Sequence, residues 1–137
     1  MDSKFEHFLR AVQGVWEDDR QRARAERKIV VFSTFIGTLD YLAKRLESAG
    51  IRHFRIDGKV AVREREVLLE RFQTEDVPIL ISSEVGSEGI DLQFASVMVN
   101  YDLPWNPMVV EQRIGRLDRI GQKNPIVVVN LILAETI

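Results

Sequence analysis

The sequence contains no cysteine and only two histidines, which sets several kinds of site aside. Without thiols it has neither a disulfide scaffold nor a thiolate metal site, and two histidines are too few for a histidine-rich one, so no resident metal is expected. No apolar run approaches the roughly 20 residues of a membrane span, and the N-terminus shows no signal-peptide pattern. The formal net charge is only -2, so any basic surface for an anionic ligand must be local.

The residues that are present indicate an α/β domain. The chain has 137 residues, of which 45% are hydrophobic and 29% charged, the balance of an ordinary globular domain. Short β-branched runs alternate with segments of helical periodicity, which predicts a mainly parallel sheet covered by helices on both faces. The predicted strands lie in "KIVVFS", "IRHFRID", "VPILISS", "ASVMVNYD" and "PIVVVNLIL".

The predicted helices lie before and between these strands. The first is expected in "KFEHFLRAVQGVW" and the second in "IGTLDYLAKRLESAG", where Gly50 is a C-terminal stop signal. A third, "AVREREVLLERF", is expected to turn Val62, Val67 or Leu68, and Phe72 inward. Asn106 and Pro107 are a cap and first position for a fourth helix, predicted to end near Gly121.

A charged stretch, "EDDRQRARAERK", separates the first helix from the first strand. Its basic residues allow a nucleic-acid contact, but a solvated connector or helix end is the favoured interpretation. The chain is accordingly divided into an N-terminal helix and connector, 1–27, and the main domain, 28–137. No element closes the last strand, so we expect a fragment of a larger protein.

The segment "EQRIGRLDRIGQ" has three evenly spaced arginines in an otherwise apolar helix. Gln112, Arg116 and Arg119 stand at i, i+4 and i+7, so a continuous helix would place them on one face. Arg113 is rotated by roughly 100° from Gln112, and Gly115 leaves room for a close neighbour. Two guanidiniums one turn apart can bind a polyphosphate. A structural helix whose arginines pair with carboxylates of the sheet is an equally acceptable interpretation.

Ligands of parallel sheets bind beyond the carboxyl ends of the strands, which draws attention to the loops there. In "SSEVGSEGIDLQ", Gly86 and Gly89 permit close backbone approach, and Asp91 could bond a ribose hydroxyl or hold an arginine. No P-loop, no G-x-G-x-x-G and no Walker-B-type acidic pair is present. The sequence therefore has residues suited to hold phosphates from one side and nothing to cradle them, which suggests half of a site.

Several spaced motifs, in order, resemble a known family. "KIVVFSTFIGTLDYLAKRL" is similar to motif IV, "ILISSEVGSEGIDLQFASVMVNYDLPWNP" to motif V with its following strand and turn, and "EQRIGRLDRIGQ" to motif VI. The chain resembles the C-terminal RecA-like domain, or helicase C-terminal domain, of a superfamily 2, Swi/Snf-like DNA-dependent ATPase. The resemblance is closest to the bacterial RNA-polymerase-associated ATPase branch. Arg113 stands where many remodellers have alanine, which favours this branch or more general helicases.

The resemblance implies a RecA-like three-layer αβα sandwich and specific roles for individual residues. Arg116 and Arg119 would be arginine fingers, acting on ATP with Mg²⁺ that is bound mainly by an N-terminal RecA-like lobe. Gln112, Gly89 and Asp91 would lie at the nucleotide. The residues expected to face nucleic acid are Ser33, Thr34, Gly58, Lys59 and Ser83.

The implied function is that of the second lobe of an ATP-dependent, double-stranded DNA translocase, inactive without its partner lobe. RNA polymerase or another DNA-bound complex is the expected partner, and a cytoplasmic, nucleoid-associated location in a bacterium or archaeon is expected. Two alternatives stay open. One is the lobe of a strand-separating DNA or RNA helicase, and the other is a non-catalytic RecA-like module that binds nucleic acid or protein.

Overall fold

The structure, a computed structural model, describes residues 3–84, 90–104, 106–118 and 125–131. Gly86, Gly89, Arg119 and Gly121 therefore lie outside the described residues. The elements in chain order are α1 (Ser3–Gln21), β1 (Ile29–Phe32), α2 (Ile36–Ser48), β2 (His53–Ile56), α3 (Val62–Thr74), β3 (Ile79–Ser82), β4 (Val97–Asn100), α4 (Pro107–Leu117) and β5 (Val127–Asn130).

The strands form a five-stranded sheet with the order β2-β3-β1-β4-β5, and every pair is parallel. The register places Phe32 opposite both Ser82 and Asn100, so these three strands end together. Because all strands run the same way, the loops that follow them meet at one edge of the sheet. The predicted parallel α/β architecture is confirmed.

Two apolar cores lie on the two faces of the sheet. Alternate residues of β1 divide between them, with Ile29 and Val31 in one core and Val30 and Phe32 in the other. Helices α1 and α2 cover the first core, and α3 and α4 contribute to the second. This is the expected three-layer αβα arrangement. The first core takes from the helices Phe5, Phe8, Val12, Trp16, Leu39, Leu42 and Leu46, and the second takes Phe72 and Leu117.

Two helix ends follow the local signals of the sequence. Gly50 has φ 72°, and its amide donates to Glu47 O while the Ile51 amide donates to Leu46 O, the pattern of a Schellman motif. The Asn106 side chain accepts a hydrogen bond from the Met108 amide at 3.0 Å and caps α4, whose first residue is proline. Both signals bring chain segments to fixed positions beside the sheet.

The prediction that α4 runs to about Gly121 is wrong. The helix ends at Leu117, and Asp118 has an extended backbone, with φ -75° and ψ 139°. The helical series is broken before Arg119, so the argument for a shared face applies to Gln112 and Arg116 alone.

The inward face of α3 is also corrected. Val62 and Val67 are 67% and 57% exposed, whereas Leu68 and Leu69 pack partly buried against Phe72. Periodicity allowed either Val67 or Leu68, and the structure selects the leucine because it lies on the same side as Phe72.

The charged stretch 17–28 forms the end of α1 and the connector to β1, and its side chains form ion pairs with one another. Asp19 is fully buried, and its Oδ1 accepts from Arg24 Nε at 2.6 Å and from Arg27 Nε at 2.8 Å. Trp16 Nε1 donates to Arg27 O at 2.9 Å, so the connector folds back on the helix. The favoured interpretation of this stretch as a connector agrees with these ion pairs and hydrogen bonds.

Within the described residues, no helix is both long and apolar enough to cross a bilayer.

Candidate nucleotide and nucleic-acid interface

The carboxyl edge of the sheet contains a topological switch point between β1 and β4. From β1 the chain leaves through α2 towards β2, and from β4 it leaves through α4 towards β5, in the opposite direction along the sheet. Adjacent strands whose connections diverge open a crevice that is the usual ligand site of open α/β sheets. The loops after β1 and β4 border this crevice.

Asp102 bridges the crevice. Its Oδ1 accepts hydrogen bonds from Thr34 Oγ1 at 2.6 Å and from the Thr34 amide at 3.1 Å, and its Oδ2 accepts from Ser33 Oγ. Burial alone would raise the pKa of the Asp102 carboxyl. The hydrogen bonds from Ser33 and Thr34, together with the charge of Arg113, outweigh burial and lower its pKa below the usual value. The carboxylate is therefore a stable anion at neutral pH.

A second loop at this edge is shaped by Asp57, which is buried. Its Oδ1 accepts from the Lys59 amide at 2.9 Å, and its Oδ2 accepts from Arg55 Nε at 2.9 Å. These bonds leave Gly58 and Lys59 exposed at the tip of the turn. Next to it, the Ser83 amide donates to Ile56 O at 3.2 Å and extends the pairing of β2 and β3 beyond their ends.

Arg113 is only 2% exposed, although it is a cation on a helix that faces the carboxyl edge. Its Nη1 donates to Asn100 Oδ1 at 2.9 Å and to Asp102 O at 3.1 Å, and its Nε donates to Glu84. The guanidinium also lies 5.5 Å from the centre of the Phe32 ring. The rotation predicted from helical geometry is confirmed, since Arg113 is turned into the protein and Gln112 is exposed.

The neighbouring residues of α4 are open by contrast. Gln112 and Gly115 are exposed, and a Cβ on Gly115 would meet nothing within 4 Å in the described part of the chain. Arg116 is partly exposed, and no carboxylate of the described residues lies within ion-pair distance of it. Among the described residues, the structural salt-bridge interpretation thus applies to Arg113, and no ion pair supports it for Arg116.

The segment that precedes β4 is hydrogen-bonded to the last turn of α4. The Leu92 amide donates to Arg116 O at 3.0 Å. The exposed carboxylate of Asp91 accepts from the Gln93 amide at 2.9 Å and so shapes a local turn. A movement of this segment would therefore displace the C-terminal end of α4.

The structure brings most of the predicted residues to one edge, but it divides them by accessibility. Thr34, Gly58 and Lys59 are exposed, whereas Ser33 and Ser83 are buried. The sequence did not single out Asn100, Asp102 or Glu84 as individual residues. The only indication in the sequence was that two predicted strands end in polar residues. These residues contact Arg113, which is distant from them in sequence, so their role could not be read from a local pattern.

The described residues contain no group of three or more side chains suited to hold a metal ion. Among the described residues of α4, the Gln112 amide is exposed and the Arg116 guanidinium is partly exposed.

A parallel αβα lobe whose sheet opens a crevice between β1 and β4 is the class of structure found in the RecA-like lobes of helicase-type ATPases. The family described as "Helicase conserved C-terminal domain" matches residues 3–121. The "RNA polymerase-associated protein RapA" of Vibrio cholerae is 41% identical over 124 residues, which cover 88% of this chain and 13% of that protein. The "Uncharacterized ATP-dependent helicase YqhH" of Bacillus subtilis is 36% identical over 114 residues, which cover 83% of this chain and 20% of that protein.

A solved structure shows the same fold. The crystal structure of the C-terminal part of the Fun30 ATPase domain matches with a TM-score of 0.83 and 28% identity, over 94% of this chain and 40% of that one. The chain therefore belongs to the helicase C-terminal domain family, as the C-terminal RecA-like domain of a superfamily 2, Swi/Snf-like ATPase. It spans a fifth or less of the two relatives named above.

Proposed function

We propose that this chain is the second RecA-like lobe of an ATP-dependent translocase on double-stranded DNA. In this proposal it supplies Arg116 and Arg119 to an ATP molecule that another lobe holds with Mg²⁺. Gln112, Gly89 and Asp91 lie beside the same nucleotide. The exposed loops at the carboxyl edge form part of the track for DNA.

The contrast between two arginines one turn apart carries the proposal. Arg113 is buried and paired with carboxylates and an amide, whereas Arg116 is partly exposed and has no described carboxylate partner. An unpaired guanidinium held on an anchored helix is preorganised for an anion that arrives from outside the chain. The open space around Gly115 supports this, because an approaching group meets no side chain at that position.

ATP hydrolysis requires few groups from this lobe besides the arginines. Charge spreads over the γ-phosphoryl group in the transition state of ATP hydrolysis, and a positioned arginine stabilises it. Arg116 would donate to those oxygens when the cleft between two lobes closes. Gln112, one turn earlier on α4, would reach the same phosphates or the attacking water. Water, ATP and metal are otherwise positioned by the other lobe.

The nucleic-acid contact is proposed for the exposed part of the same edge. The Gly58–Lys59 turn is exposed and offers the Lys59 ammonium, a typical donor to phosphate oxygens, whereas the Thr34 hydroxyl and amide become available only if they leave Asp102. Ser33 and Ser83 would act indirectly by shaping these loops, because both are buried. One relative is named as RNA polymerase-associated, and we extend that partner to this chain as part of the proposal.

The test uses the full-length ATPase that contains this chain. Arg116→Ala and Arg119→Ala should each lower kcat by about 10³-fold or more, the scale of arginine fingers in GTPases, and leave DNA affinity nearly unchanged. Arg→Lys at either position should be almost as damaging, because an ammonium cannot reproduce the planar fork. Arg10→Ala, an exposed arginine of α1, is the matched control.

Three results would count against the proposal. If both substitutions lowered thermal stability and left kcat intact, the arginines would be structural. If the full-length protein displaced a strand from a duplex during ATP hydrolysis, the strand-separating alternative would replace translocation. Failure to hydrolyse ATP with any DNA would leave the non-catalytic module.

A further inference from the structure

One carboxylate, that of Asp102, is shared between the loop after β1 and helix α4. Its Oδ1 already accepts two hydrogen bonds from Thr34, at 2.6 and 3.1 Å. The same oxygen lies 3.6 Å from Nη2 of Arg113, beyond hydrogen-bond distance but within that of an ion pair. Thr34 and Arg113 are therefore both close to Oδ1 of Asp102, and of the two only Thr34 is hydrogen-bonded to it.

Arg113 has an unused donor on that side. Its Nη2 is in ion-pair contact with Glu84, yet among the described residues this nitrogen has no hydrogen bond of acceptable geometry. The ion pair and the missing hydrogen bond are compatible, because a short distance does not ensure the required angle. Nη2 carries two N–H groups and its contact with Glu84 can engage only one of them, so a carboxylate oxygen that moves closer finds a donor available.

The rest of Arg113 is fixed to the sheet. Nη1 bonds Asn100 and the Asp102 carbonyl, and Asn100 Nδ2 donates to Asn130 Oδ1 at 2.7 Å on β5. The side chain thus connects α4 with β4 and, through one amide, with β5. A change at Nη2 would be transmitted to α4 because the other contacts leave the guanidinium few ways to adjust.

We propose that Asp102 is a positioning residue that couples DNA contact at Thr34 to the setting of α4 through Arg113. When a DNA phosphate takes the Thr34 amide and hydroxyl as donors, Oδ1 of Asp102 is released and accepts from Nη2 of Arg113. Helix α4, with Gln112 and Arg116, is then held more firmly in the position that receives ATP. The inference rests on the proposed function, because it requires DNA at this edge and nucleotide at α4.

The coupling is measured in the full-length ATPase as a ratio of affinities. The Kd for a DNA duplex is determined by fluorescence anisotropy, with and without a non-hydrolysable ATP analogue and Mg²⁺. Coupling between two sites typically changes affinity about 5- to 150-fold, and the wild type should fall in this range. Asp102→Asn should bring the ratio close to one while the affinity for each ligand alone changes little, since the amide lacks the charge that attracts Nη2.

Arg113→Lys is the second variant, because it keeps the charge and removes the forked Nη2 donor. It should also lower the ratio, and the double variant should be no worse than the more affected single variant, since both changes interrupt one contact. Glu6→Gln is the control, an exposed carboxylate of α1, which packs on the opposite face of the sheet from α4. A circular dichroism melt of each variant shows that it is folded.

The outcomes are separable. Folded Asp102→Asn or Arg113→Lys enzyme with a wild-type ratio overturns the coupling role and leaves the proposed function intact. A wild-type enzyme whose DNA affinity does not respond to the analogue overturns both. Loss of both single-ligand affinities in Asp102→Asn, with an unchanged ratio, would show a purely structural role and also overturn the inference.

Discussion

Two arginines of α4, Arg113 and Arg116, differ in their burial and in their contacts. Arg113 is 2% exposed and is satisfied by Glu84 and Asn100, so its charge is used within the fold. Arg116, three residues on, is partly exposed and has no carboxylate partner among the described residues. Positions three residues apart lie only about 60° from each other around a helix, so burial and not helical spacing distinguishes the two arginines.

This difference predicts unequal effects on stability. In the 137-residue chain, Arg113→Ala should lower the free energy of unfolding by about 3 kcal/mol, the lower end of the range for breaking a buried ion pair, because water can partly reach Glu84 and Asp102. Arg116→Ala should change it by no more than about 0.5 kcal/mol, as a surface substitution. Urea unfolding followed by circular dichroism measures both, and equal losses would contradict the assignment.

Helical spacing predicted that Arg113 points away from the face of Gln112, and the structure agrees, but spacing did not identify the groups that Arg113 contacts. Helical spacing tells which way a side chain points and not what it finds there. Asn100, Asp102 and Glu84 become neighbours of Arg113 only when parallel strands align, which no local pattern encodes.

At the scale of elements, the end of α1 is fixed by a single buried carboxylate. Asp19 accepts from Arg24 Nε, Arg27 Nε and the Arg27 amide, so it joins the helix to the strand that follows. Burial alone would raise the pKa of Asp19, but these hydrogen bonds and the two positive charges outweigh it and lower the pKa. Asp102 has a lowered pKa for similar reasons.

Two lowered carboxyl pKa values predict sensitivity to acid. A group whose folded pKa is depressed contributes stability that is fully present above its unfolded pKa, about 3.9 for aspartate, and is lost as pH falls through the folded value. The urea midpoint should therefore be level near neutral pH and fall steeply below about pH 4. In Asp19→Asn the neutral-pH midpoint should be lower and the acid slope shallower.

The exposed Asp40 provides a control for this measurement. Its pKa is lowered by the hydrogen bond from Arg55, but solvent screens an exposed pair, so Asp40→Asn should change the acid slope little. An Asp19→Asn slope equal to that of the wild type would show that Asp19 is not a source of acid sensitivity.

Element boundaries were predicted best where a backbone signal is local. The glycine with positive φ ends α2 and the asparagine begins α4, since both act through hydrogen bonds to the adjacent turn. The C-terminal end of α4 was placed too late, because the apolar spacing of Ile114, Leu117 and Ile120 continues past Leu117. The extended backbone of Asp118 ends the helix where no glycine or proline signals it.

At the scale of the whole molecule, the proposed function gives this lobe one side of a nucleotide site. The described residues contain no cluster of metal ligands, and the sequence has no P-loop. The 137-residue chain alone should therefore release phosphate from ATP no faster than buffer. The full-length ATPase, assayed in parallel with DNA, is the positive control. Phosphate release that follows the chain through gel filtration would contradict the half-site assignment.

The net charge of -2 sets the expectation for DNA binding by the lone lobe. Most basic residues of the connector are engaged by Glu17, Asp18 and Asp19, so they add little positive potential. The proposed contacts at the carboxyl edge include one lysine, Lys59, and the backbone amides of two loops. Affinity should be weak and should fall as salt rises, because binding releases the counterions of each contacted phosphate.

Lys59→Ala tests this account directly. Each phosphate contact made by a cation contributes about 0.9 to the slope of log K against log salt on B-DNA, so removal of Lys59 should reduce that slope by about 0.9. The loss of affinity should be the same for unrelated duplex sequences, since phosphate contacts do not distinguish bases. Arg10→Ala removes an equal charge from the exposed surface of α1 and should leave the slope unchanged. A slope that responds equally to both substitutions would indicate a diffuse electrostatic effect, and tight, sequence-selective binding at physiological salt would favour the non-catalytic module.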